Sequence, residues 1–212
     1  AGTRGAARTM TFLQLLLFAA TAYNLALVLF ILRNTHARQT GRLFAWFILS
    51  TAAWNADVAL LQFPAMAPVA IWLVRATFVI AVFMSWSGLW FCVEFPQRST
   101  RFRRVAVALT ALGLPWLIAS WFPQMIPTVS LQAWGVKAEI GMLVTPFTIW
   151  ILICIILSVA HLVMKARVLR GLERAQVHYV ILGIAGLALF GTLSNLVLPA
   201  VSKSNDLAPL GG

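Results

Sequence analysis

Six long apolar runs decide what this chain can fold into. They cover residues 10–32, 43–63, 69–95, 105–122, 142–164 and 179–201. A helix that crosses a bilayer needs about 20 predominantly apolar residues. The fourth run is the shortest, and the third is long enough to tilt or to project past the lipid. The first is too long for the apolar region of a signal peptide, and no small-residue cleavage pattern follows it before Arg33. The runs predict an all-α fold, a polytopic transmembrane helix bundle of six spans over residues 10–201. A flexible segment precedes it at 1–9, and a short one follows at 202–212.

Composition supports the same class. The chain is 61% apolar and 10% charged, against roughly 45–50% and 25% for soluble domains. A water-soluble enzyme of 212 residues would need far more polar surface. Nine tryptophans also suit the bilayer interface, where amphipathic rings settle. Cys92 and Cys154 both fall inside apolar runs, which argues against a disulfide framework or a zinc site.

The net charge of +11 is informative through its placement. Arg33, Arg38 and Arg42 follow the first run. Arg98, Arg101, Arg103 and Arg104 follow the third. Lys165, Arg167, Arg170 and Arg174 follow the fifth. These eleven cations share one side, while Arg4, Arg8, Lys137 and Lys203 make four on the other. Cations collect on the cytoplasmic side of membrane proteins. The expected N-terminus is therefore outside, in a bacterial inner membrane, with six spans returning the C-terminus outside. The basic charge reads as a topology signal, and no nucleic-acid partner is expected.

Prolines punctuate the runs. Pro64 and Pro68 bracket a tight outer turn, and Pro96 ends the third run. Pro115 and Pro146 are candidate kinks. The outer stretch 123–141 either lies on the membrane surface or forms a short hairpin. No inverted repeat with paired broken helices suggests a transporter.

The candidate site residues are the charges inside the spans. Such charges cost roughly 2.5–3.5 kcal/mol each on insertion scales. Asp57 lies nine residues before Met66, in the middle of the outer turn, and Arg75 lies nine after it. Each is about 9 Å below its helix's outer end at 1.5 Å per residue, so the two should be level and in contact. They read as an ion pair holding a hairpin, or as a ligand or proton site opening outward with Asn55 and Gln62 nearby. Glu94 and Arg98, four residues apart around Pro96, read as an interfacial salt bridge. Gly183, Gly186 and Gly191 share a broad face of the last run and would let another helix approach closely. Asn24 and Asn195 are candidate interhelical hydrogen-bond partners.

No catalytic constellation is visible, and no HExxH, paired CxxC, P-loop or GxSxG occurs. A membrane-embedded haem wants two histidines facing each other within the bundle. Of His36, His161 and His178, only His161 falls inside it. The expectation is no metal, no cofactor and no enzymatic activity of the chain's own.

Three stretches together carry a resemblance: STAAWNADVALL at 50–61, FCVEFPQRS at 91–99 and ERAQVHYVILGIAGLALFGTLSNLVLPA at 173–200. They resemble the N-terminal seven-helix membrane region of bacterial sensor histidine kinases and related diguanylate cyclases. The matching residues are Glu94, Phe95 and Pro96, then Arg174, Gln176, Tyr179, Gly183, Gly186, Asn195 and Pro199. The resemblance covers most of residues 43–211. It implies a sensory input module that passes a helix movement to a cytoplasmic output domain. The 212 residues hold no seventh helix, phosphoacceptor region, ATP-binding domain or cyclase domain. Either the chain is a fragment of a longer protein, or it is a six-helix relative with another job. The rival reading is a non-catalytic subunit of a larger, energy-converting membrane complex. Expected partners are the lipid bilayer and either a second copy, as a homodimer, or other membrane subunits.

Overall fold

The computed structural model describes residues 3–34, 39–132 and 135–192. Among these it is helical apart from one hairpin and the turns. The α-helices are α1 (Thr3–Asn34), α2 (Gln39–Leu60), α3 (Ala70–Glu94), α4 (Thr100–Ala119), α5 (Val144–Val168) and α6 (Gly171–Thr192). The first five are long and apolar enough to cross a membrane. Only part of the run at 179–201 is described, because α6 is followed to Thr192. Asn195, Pro199, His36 and the segment 202–212 lie outside the described residues.

Several helices outrun their apolar stretches. Residues 3–9, expected as a separate tail, are helical within α1. The basic segment 165–178, expected as a loop, is helix except for Leu169 and Arg170. Gly171 makes this short reversal possible, with φ at +57°, a left-handed conformation that only glycine adopts freely. Arg101, Arg103 and Arg104 likewise sit within the first turns of α4, whose cap is Ser99: its hydroxyl accepts from the Phe102 amide at 3.3 Å. Pro146 is third in α5, where its missing N–H has no intrahelical partner to lose.

The turn between α2 and α3 is a 3-10 helix, Pro64–Val69. The stretch 123–141 contains a hairpin, β1 (Val129–Gln132) and β2 (Gly135–Ala138), antiparallel with Val129 opposite Ala138. Just before it, Met125 and Ile126 are fully buried. They plug the end of the core between α3, α4 and α5.

Helix α3 is the centre of the bundle and touches α2, α4, α5 and β2. Its Val82, Leu89 and Val93 join Leu109 of α4 and Trp150 of α5 in the main core. Gly113 of α4 permits this packing: a Cβ there would stand 2.5 Å from Trp86 Nε1 and 2.6 Å from Trp150 Cζ2. A smaller core at the basic end joins Phe91 and Cys92 of α3 to Leu162 and Ala166 of α5 and Val177 of α6. A third joins Val28 and Ile31 of α1 to Ala45 and Ile48 of α2.

Candidate functional site

Buried polar groups gather at both ends of α3. At the hairpin end, Asp57, Gln62 and Arg75 are buried, as is Asn55. The expected contact between Asp57 and Arg75 is not made, and no carboxylate oxygen of Asp57 lies within 4.0 Å of the guanidinium. Asp57 instead accepts a hydrogen bond from the Thr77 hydroxyl. Arg75 Nη2 donates to the Ile126 carbonyl at 3.0 Å, and its guanidinium lies 5.4 Å from the centre of the Trp72 ring. That ring contact adds a favourable cation–π term. The reason for the separation is helix rotation. Thr77 follows Arg75 by two residues, about 200° around a helix of 3.6 residues per turn. Thr77 faces α2, so Arg75 faces away, toward the plug before the hairpin.

Two groups at this end are left with unused capacity. Both side-chain amide atoms of Gln62, and Nε of Arg75, are buried without a hydrogen-bond partner. Gln14 of α1 reaches this level and donates to the Gln62 backbone carbonyl at 3.3 Å. Asn55 is buried on α2, but no interaction brings it to Asp57.

At the basic end, the last turn of α3 leaves carbonyls with no intrahelical donor. Lys165 of α5 supplies one. Its ammonium lies 3.0 Å from the Cys92 carbonyl, 3.1 Å from Val93, 2.6 Å from Phe95 and 2.7 Å from Gln97. A cation also suits the negative end of the helix dipole. One side chain therefore holds the end of α3 and the elbow that leads to α4. Helix α6 reaches the same elbow, where Gln97 Nε2 donates to Glu173 Oε2 at 3.1 Å.

The expected pair of Glu94 and Arg98 is present. Glu94 Oε1 lies 3.5 Å from Arg98 Nε, with Glu94 8% and Arg98 50% exposed. No donor meets Oε1 in hydrogen-bond geometry. One turn before Lys165, His161 is buried and stacks on Phe102 of α4, rings 4.0 Å apart and 10° from parallel. Its Nε2 has no hydrogen-bond partner. His178 is elsewhere, 2.7 Å from the Arg174 carbonyl. Among the described residues, no three His, Cys, Asp or Glu side chains come together as a metal site.

Lys165 is the residue that sequence reasoning missed, having counted it only as a topology cation. A signal was there. Ser158, His161 and Lys165 are spaced three and four apart in an otherwise apolar helix, which places them on one face. At Gly183 and Gly186 an added Cβ meets nothing within 4 Å, so neither glycine packs against another described helix. The surroundings of Gly191 are not described. Comparison with protein families, characterised proteins and solved structures finds no match.

Proposed function

We propose that this chain is the membrane-embedded input module of a signalling protein. It registers a change in the membrane or outside it and passes a helix displacement to a cytoplasmic output domain. In this reading six spans cross a bacterial inner membrane, with the N-terminus outside and the basic end in the cytoplasm. The observation that carries the reading is the elbow at the end of α3. Lys165 ties it to α5, and Glu173 ties it to α6. A shift of α3, the central helix, is thus delivered to both helices that lead toward the C-terminus. The chain contributes no catalysis of its own.

Gly183 and Gly186 support a second reading. Their open face on α6 suits the close approach of a helix from another chain. That helix would belong to a second copy in a sensor, or to a neighbouring subunit in a larger non-catalytic assembly. Affinity purification of the tagged chain from its native membrane separates the two. The sensor reading expects the chain alone or as a homodimer, from a gene that continues into one more helix and a signalling domain. Stoichiometric foreign subunits, with a stop codon soon after Gly212, overturn it in favour of the subunit. Either way the purified protein is expected to show no Soret band.

A further inference from the structure

A groove of about 400 Å³ runs between α2 and α3. Leu43 and Trp90 line its basic end, Ala53 and Ile80 its opposite end, and Trp46 and Phe83 its rims. The rims are open, with Trp46 61% and Phe83 49% exposed. From Leu43 to Ala53 the groove spans ten residues of helix, about 15 Å at 1.5 Å per residue. One leaflet of a hydrocarbon core roughly 30 Å thick has the same depth.

The groove offers no hydrogen bond. The Ser50 hydroxyl is spent on the Trp46 carbonyl at 2.9 Å, and that of Ser87 on the Phe83 carbonyl at 2.7 Å. Trp90 Nε1 donates to Thr110 of α4 at 3.0 Å, and Trp86 Nε1, which has no hydrogen-bond partner, is buried against Gly113 of α4 and closed to the groove. A ligand with polar atoms along its length would find no donors here. A hydrocarbon chain loses nothing.

The basic end of the groove has a different character. Arg42 precedes Trp46 by four residues and Leu49 by seven, so it continues their stripe on α2. It is exposed, and no carboxylate pairs with it among the described residues. It stands in the first turn of α2, where backbone N–H groups and the helix dipole also favour an anion. Glu94 continues the α3 stripe at this end, but it is buried and its charge is met by Arg98. An apolar slot one leaflet deep, with an unpaired cation at its surface end, matches one molecule in a bilayer.

We propose that the groove between α2 and α3 seats an acyl chain of an anionic phospholipid, with the phosphate at Arg42. The proposal rests on membrane embedding and not on the sensor reading, so it holds equally for a subunit. Native mass spectrometry of the full chain tests it, after exchange into detergent with equimolar phosphatidylglycerol and phosphatidylcholine. The wild type is expected to retain one phosphatidylglycerol with a preference of about fivefold, as a single surface cation gives toward anionic lipid. Arg42→Gln should abolish the preference while a lipid remains bound. Ala53→Phe, which fills the groove from an exposed position, should abolish retention of both lipids at unchanged thermal stability. Trp46→Ala, which removes an exposed rim, should weaken retention independently if Ala53→Phe does not fold. Equal retention of the two lipids by the wild type overturns the assignment. So does retention unaffected by both Ala53→Phe and Trp46→Ala. Loss of a dimer in Ala53→Phe overturns it in favour of a second copy as the occupant.

Discussion

The two ends of α3 settle their buried charges in opposite ways. At the hairpin end, Asp57 and Arg75 lie nine residues either side of Met66, yet each takes a neutral partner, the Thr77 hydroxyl and the Ile126 carbonyl. At the basic end, Lys165 gathers four carbonyls around one ammonium. Glu94 keeps a charged partner in Arg98. The difference teaches that depth alone does not pair charges in an apolar bundle. Helix rotation selects which groups meet, and unpaired backbone at a helix end can take up a cation in place of an opposite charge.

The largest expected effect is at the basic end. Lys165→Met removes the donor shared by four carbonyls, and hydrogen bonds to a charged group contribute roughly 1.5–3 kcal/mol. Because Lys165 is only partly buried and water can replace some of its bonds, the expected loss is about 2–3 kcal/mol in total. Reversible unfolding in mixed micelles measures it. Lys165→Arg should recover only part, since a planar guanidinium cannot converge on four oxygens as an ammonium does. A loss below 0.5 kcal/mol, about the error of independent sites, would mean that the clamp does not hold the elbow.

The hairpin end should show a smaller, selective coupling. In a double-mutant cycle, Asp57→Ala and Thr77→Val should couple by roughly 0.6–1.7 kcal/mol, the range for interhelical hydrogen bonds in membranes. Asp57→Ala and Arg75→Ala should add within about 0.5 kcal/mol, as groups without shared partners do. Strong coupling of the second pair and none of the first would restore the ion pair and reverse the comparison. Smallest of all is Gln97→Ala. Its bond to Glu173 is exposed, so the same unfolding assay should register at most about 0.5 kcal/mol.

The apolar helices were legible because the bilayer requirement writes itself into long uninterrupted runs. Their ends were less so. A loop read from basic residues at 165–178 is mostly helix, since arginine is a good helix former and the turn needs only Leu169, Arg170 and Gly171. The Glu94–Arg98 pair was readable because a spacing of four survives the bend at Pro96. The Asp57–Arg75 pairing failed on the one quantity that spacing from a turn leaves free, rotation about the helix axis. Lys165 was hidden for another reason. Its partners are backbone carbonyls, and backbone has no letter in a sequence.

Both ends of the comparison presume that they lie on opposite faces of a membrane. Single cysteines at Thr100 and Ser130 test this most directly. Both positions are exposed, and Thr100 leaves the Ser99 cap of α4 intact. Cys92 and Cys154 are buried and supply the unlabelled background. With a membrane-impermeant maleimide on intact cells, Ser130→Cys should label, and Thr100→Cys should label only after the cells are opened. Labelling of both positions from the same face would contradict the account.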